Sequence, residues 1–253
     1  MIFSTIIKKS KHDKLNQNCI VLFAEDKLTT IMVKGIYTEQ QLSVMKDEFN
    51  SLLRSTGRPG IENLITWLEN SSDFYTAPAS QMYHGAFPGG LLAHSLNVYH
   101  AAVEFREVYK KLAIPAKQIE NIRDDQLILA SLLHDLCKTN IYKEKEKWFK
   151  DENDKWQKYM SYEIEDTLPW GHGSKSCLLI QHFLYLENEV ISAIMWHMCS
   201  LDPAMSNPSY SYMYKPVIQS LETIPLTLIV AQADMAASFM MEEKIDQKMV
   251  NRI

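Results

Sequence analysis

The chain has 253 residues, of which 46% are hydrophobic and 23% charged, and a formal net charge of -5 with histidine neutral. That length fits one large domain, or one domain with a small appendage, and is enough to bury a substantial core. The acidic balance excludes a global basic field that would recruit nucleic acid, so no extended nucleic-acid surface is expected. Four cysteines (Cys19, Cys137, Cys177 and Cys199) are scattered without paired spacing, which reads as reduced thiols in a cytoplasmic protein. Residues 1–9 place apolar residues before basic ones, the reverse of a secretory signal, and the apolar run 224–241 is interrupted by Gln232 and Asp234. No membrane partner is expected.

In chain order, residues 20–24 and 28–33 read as a hairpin within an N-terminal appendage, residues 1–38. From residue 39 to residue 253 the pattern is that of a mostly α domain. Leu42, Met45, Phe49, Leu52 and Leu53 recur at helical spacing until Gly57 and Pro59, and a second short helix covers residues 61–69. Residues 73–90, with their prolines and glycines, read as a loop. Residues 91–111 carry apolar stripes on two sides, the mark of a core helix. Asp124 is the expected N-cap of the next helix, whose run 127–133 is apolar all round. Residues 143–166 break the rhythm with charges and aromatics around Asp151–Asp154, and read as a β-hairpin inserted between helices. Three further helices are predicted near residues 174–185, 189–198 and 225–241, with a Ser/Pro/Tyr-rich loop at 200–216.

Histidine and aspartate interrupt these apolar helices. His134 and Asp135 close the run 127–133, and Asp234 lies inside the apolar run 226–237. An ionised aspartate in such a place is costly unless it is paired or coordinates a metal. His94 lies on an apolar stripe, His172 opens a helix between two glycines, and His197 closes another. Taken singly, each is more often a hydrogen-bonded core residue. Together they form the imidazole and carboxylate set that binds divalent transition ions.

The order of these residues resembles the HD-domain superfamily of metal-dependent phosphohydrolases: a His, an adjacent His-Asp, and a distant Asp, each on a separate helix. The match runs through the segments 89–95 and 132–138, through Gly171-His172-Gly173 and Trp196-His197, and ends at Ala233-Asp234. The resemblance implies an α-helical bundle in which His94, His134, Asp135 and Asp234 bind a first divalent ion. His172 and His197 would add a second, with Asp135 bridging; the ions would be manganese, iron, zinc, cobalt, nickel or magnesium. It further implies a nucleotide or short oligonucleotide as substrate, attacked at phosphorus by a metal-activated hydroxide, with Asp135 and Lys138 as catalytic residues. Lys138, His84 and Lys175 are candidate substrate contacts, His84 because the Phe87-Pro88-Gly89-Gly90 turn is similar to that of the superfamily's bacterial exoribonucleases. The cyclic-dinucleotide phosphodiesterase signature Gly-Tyr-Pro does not follow His197, and the 38 residues before Glu39 are too few for the exoribonucleases' N-terminal barrel. The usual glycine after His-Asp is replaced by Cys137. Two other readings stay open: a di-iron oxygenase built on the same six ligands, and a non-catalytic binding module. The exposed aromatics expected on the insertion suit stacking on a base, and equally a contact with a second copy of the chain.

Overall fold

The computed structural model describes residues 36–168, 170–199 and 214–242. These form eight α-helices and one antiparallel hairpin. Helix α1 (Glu39–Ser55) opens on a capping box in which the Gln41 amide donates to Thr38 Oγ1 and the Thr38 amide donates to Gln41 Oε1. Helix α2 (Ile61–Asn70) follows the Gly57–Gly60 turn. Helix α3 (Gly90–Leu112) is the central strut and packs against α1, α4 (Asp124–Leu133) and α8 (Pro225–Ala236). Leu91, Leu92, Val98 and Ala102 of α3 are buried with Leu129, Leu132 and Leu133 of α4 and with Ile229, Val230 and Ala233 of α8. As its sequence implies, α4 is buried on all sides.

The inserted hairpin is present as β1 (Tyr142–Lys150) and β2 (Trp156–Ile164), paired from Tyr142↔Ile164 to Lys150↔Trp156. Helices α5 (His172–Gln181) and α6 (Asn188–Met195) follow it. Gly173 lets these two meet: a Cβ there would lie 2.3 Å from the Met195 carbonyl oxygen. Gly90 does the same for α3, since a Cβ at that position would lie 2.0 Å from the Gly85 carbonyl oxygen. The 73–90 segment can therefore fold back over the start of the helix.

Four expectations change. Arg123, not Asp124, is the N-cap of α4; Asp124 opens the helix and pairs with Arg106 at 2.6 Å. Helix α5 begins at His172 and ends at Gln181, earlier at both ends than expected. Helix α7 (Tyr214–Thr223) occupies what reads as the end of a loop, because Pro216 is tolerated in a first turn and Val217 with Ser220 supply the buried side. Helix α8 stops at Ala236, and Ala237–Met241 is a π turn. The N-terminal hairpin and residues 200–213 lie outside the described residues. Among the described residues no single helix is long and apolar enough to cross a membrane; α7 and α8 together meet the length and composition, but across a 105° bend and with much of α8 buried in the core.

Helices α4 and α6 pack side by side, and a charge network ties their N-terminal ends. Glu187, the N-cap of α6, accepts from Arg123 (2.6 Å), Gln126 (2.8 Å) and Arg58 (3.0 Å), and Arg58 also reaches Asp125 (2.8 Å). Burial opposes the charged Glu187 carboxylate, yet Arg123, Gln126 and Arg58 together hold its pKa below the ordinary value. Replacing Glu187 by Ala should cost about 1–2 kcal/mol in urea unfolding at pH 7, the range for breaking a hydrogen-bonded charge network. Because the folded-state pKa is depressed, this contribution is present above about pH 4.3 and is lost as pH falls through the lower, folded value. The gap between the parent chain and Glu187→Ala should therefore close in acid; a gap that persists at the acid end would show that packing, not charge, is responsible.

Candidate metal centre

Two helix ends build the centre. His134 is the C-cap of α4, and His197 lies in the turn just past α6. Each turns its ring back on the carbonyl three residues earlier: His134 Nδ1 lies 2.7 Å from the Ser131 oxygen and His197 Nδ1 2.6 Å from the Ile194 oxygen. A carbonyl only accepts, so both Nδ1 atoms carry the proton and both Nε2 atoms present a lone pair. The same contacts satisfy carbonyls that a helix end leaves without partners. At His94, midway through the first half of α3, Nδ1 instead donates to Glu242 Oε1 at 2.9 Å.

All three Nε2 atoms turn toward two carboxylates. His94 Nε2 lies 3.2 Å from Asp234 Oδ1, 3.5 Å from Asp135 Oδ2 and 3.2 Å from His134 Nε2. His134 Nε2 lies 3.3 Å from Asp135 Oδ2. The other oxygen of Asp135 faces the second pair of histidines, with His172 Nε2 at 2.7 Å and His197 Nε2 at 3.6 Å. Asp135 sits between the end of α4 and a 3₁₀ turn (Leu136–Lys138), where a non-helical backbone frees its side chain to face both ways. His172, the first residue of α5, contacts Cys137 Sγ through Nδ1 at 3.3 Å.

The donor chemistry fits a cation. His94 and His134 are fully buried, Asp135 is 2% exposed and His197 1%, and the His197 Nε2 atom has no hydrogen-bond partner among the described residues. Lone pairs of neutral imidazoles aimed at carboxylate oxygens and at each other repel unless a positive charge lies among them. The field of the pocket says the same. Burial disfavours a charged imidazole at His94, but the Glu242 and Asp234 carboxylates overcome it and raise its pKa to about 10. Burial likewise opposes charge at His172, and Cys137 with Asp135 raises it to about 10. Burial would raise the pKa of Asp234, but its histidine neighbours hold it below the ordinary range. Asp135 Oδ2 thus faces His94 and His134 while Oδ1 faces His172 and His197. Ligand atoms of His134, His197 and Asp234 also lie within 4.8 Å of one another, so the two sides are joined in one cluster of donors.

The remaining candidates divide. Lys138 Nζ is 2.6 Å from Asp135 Oδ2, so its charge is at the centre. His84 is half-buried, its ring centroid 4.9 Å from that of His94 and its Nε2 3.4 Å from Ser238 Oγ. Burial, then the charges of His94 and Lys138, lowers its pKa to about 4, so it is neutral at physiological pH. Lys175 has a different partner from the one expected. It is 4% exposed and its Nζ is held by Asp166 at 2.6 Å, anchoring the segment after β2 to α5. Two residues in contact with the centre were not foreseen. Ser238 donates to Asp234 Oδ1 (3.3 Å), linking it to His84, and Glu242 receives His94. For Ser238 the signal lay in spacing, one helical turn past Asp234; for Glu242 regular helical spacing gave none, because the π turn Ala237–Met241 intervenes.

The pattern of the HD domain family matches residues 91–235, more than half of the chain, a span that includes His94, His134, Asp135, His172, His197 and Asp234. Neither the curated proteins nor the solved structures gave a match. Zn²⁺ or Mn²⁺ added to the purified chain should raise its Tm; at a free ion concentration 100 times Kd, the stabilisation is about 2.7 kcal/mol. Asp135→Asn, which keeps the volume but removes the charge facing both pairs of histidines, should abolish most of that rise. A chelator should reverse it in the parent chain, and an unchanged rise in Asp135→Asn would sink the assignment of that residue.

Proposed function

This chain belongs to the HD domain family, and on that premise we propose that it is a metal-dependent phosphohydrolase of phosphomonoesters or phosphodiesters, with a nucleotide or short oligonucleotide as substrate. The observation that carries the reading is Asp135, whose two oxygens address two separate pairs of histidines. That arrangement suits a binuclear site with Asp135 as the bridge. The ions, when bound, supply Lewis acidity at a phosphoryl oxygen and lower the pKa of a water that serves as nucleophile.

The chain's own groups do the rest. The Nδ1 hydrogen bonds of His94, His134 and His197 fix which nitrogen is offered, so no ring has to reorient during turnover. Lys138 brings an ammonium to the edge of the centre, in a position to meet a phosphate oxygen in place of Asp135 Oδ2. Tyr142, at the base of the hairpin, is half-buried; burial raises its pKa to about 12 against the opposing pull of the nearby Lys138 charge. The Gln81 side chain donates to the Tyr162 carbonyl (2.9 Å), so the 73–90 segment and the hairpin form one rim beside the centre. Farther out, Trp148 and Trp156 are exposed, each with a lysine over its ring, Lys158 at 4.9 Å and Lys150 at 5.6 Å. They are offered to a nucleobase or to a second copy of the chain. The chain is read as cytoplasmic, on its scattered cysteines.

Protein loaded with Mn²⁺, Co²⁺ or Mg²⁺ and presented with a panel of nucleotides should release phosphate or nucleoside. Lys138→Ala should bind metal as the parent does but lose about 10²-fold in kcat, the typical cost of one group that stabilises transition-state charge. Silence of the fully loaded parent across the panel, with oxygen uptake by an iron-loaded sample, would replace this reading with the oxygenase one.

A further inference from the structure

The Nδ1 partners of the histidines are not equivalent. His134 and His197 stand past helix ends, where backbone carbonyls are free to accept from them. His94 stands inside α3, where the carbonyl four residues back is already engaged by the helix. Its Nδ1 proton needs an acceptor from another element, and that acceptor is Glu242. Its Oε1 also accepts from Asn97, one turn along α3, at 3.2 Å, while its Oε2 is buried without a hydrogen-bond partner among the described residues.

The backbone is shaped to bring it there. Glu242 is eight residues past Asp234, and in a regular α-helix eight residues overshoot two full turns by about 80°. The π turn Ala237–Met241 takes more residues per turn and absorbs that overshoot, returning Glu242 toward the side of Asp234. Asp234 and Glu242 then hold opposite nitrogens of one ring, Nε2 at 3.2 Å and Nδ1 at 2.9 Å.

We propose that Glu242 is the positioning residue of the first metal position: it fixes the His94 tautomer and raises the basicity of the nitrogen offered to the ion. The inference rests on the metal-binding reading above. His84, His94 and Glu242 also bring ligand atoms within 4.8 Å of one another. A separate ion there would need His94 Nδ1 deprotonated while Nε2 serves the main centre, which a neutral imidazole cannot do.

The test is Zn²⁺ affinity of the full chain, by competition with a chromophoric chelator, together with the His94 Nδ1–H signal in ¹⁵N-resolved NMR of the Zn²⁺-loaded protein. Glu242→Ala should bind the ion about 10–100-fold more weakly, the usual cost of losing such a partner, and lose the Nδ1–H signal. Glu242→Gln keeps an acceptor oxygen, so it should retain the signal and most of the affinity. Parent-like affinity in Glu242→Ala overturns the proposal. So does a loss in Glu242→Gln as large as in Glu242→Ala, which would make Glu242 a direct ligand or a charge alone. If Glu242→Ala fails to fold, the Gln variant decides through the same two readouts. A parent chain that takes up no Zn²⁺ or other divalent ion sinks the metal-binding reading itself, a result distinct from a parent that binds and variants that bind equally well.

Discussion

The arrangement depends on one constraint: imidazole rings held by their Nδ1 protons can offer only Nε2. Ser131 and Ile194 supply carbonyls, Glu242 a carboxylate oxygen, and together they lock three buried histidines into one tautomer. With that choice made, the lone pairs have nowhere to go but toward Asp135 and Asp234. A buried carboxylate surrounded by lone pairs is costly without positive charge, and this convergence suits a bound cation. The constraint reaches into the main chain. It requires His134 and His197 to sit just past helix ends, and it requires something other than backbone to receive His94.

Helix placement follows from this. Helices α4 and α6 contact along their lengths, and both end at the centre, their last residues Leu133 and Met195 leading into His134 and His197, whose ring centroids are 4.8 Å apart. Two helix C-termini bring the negative ends of their dipoles to the same place, which favours a cation there. Their N-termini are joined by Glu187 and its arginines. The pair is therefore held at both ends, by hydrogen-bonded charge at one and by the histidines at the other. Gly173 admits α5 against α6 closely enough to bring His172 beside them, with ring centroids of His172 and His197 5.1 Å apart.

Much of this was legible in the sequence, for a physical reason. His94, His134, Asp135 and Asp234 are polar residues inside apolar runs, and the cost of burying them is itself the signal. The inserted hairpin was legible too, because aromatic strands flank a turn of Asp and Asn. Glu242 was not, since a glutamate beside another glutamate and a lysine at the end of an apolar run looks like a solvated terminus. Only the π turn, which has no reliable sequence mark, brings it inward. Lys175 lies one turn from His172, and its ammonium is engaged by Asp166, a partner that its spacing from His172 does not reveal. Helix α7 was hidden by a proline that helix geometry tolerates near an N-terminus.

Charge ties the centre to its proposed substrate. Asp135, Asp234 and Glu242 each bring one negative charge, and Lys138 returns one positive, so the protein contributes a net of two negative charges. One divalent ion would neutralise that set and leave little attraction for an anion. Two would leave an excess of two positive charges, matched to a phosphate dianion in a place where low dielectric makes the match count. Glu242 and Lys138 enter this balance as a compensating pair. Glu242 lies behind His94, on the far side of the ring from the other carboxylates, and Lys138 lies against Asp135. The added negative charge thus strengthens a ligand from behind, while the added positive charge stands where an incoming phosphate would meet it. The same six histidines and aspartates without that lysine would lack a group of their own to favour a phosphoryl substrate, and this is why the hydrolase reading leans on Lys138 as much as on the ligands.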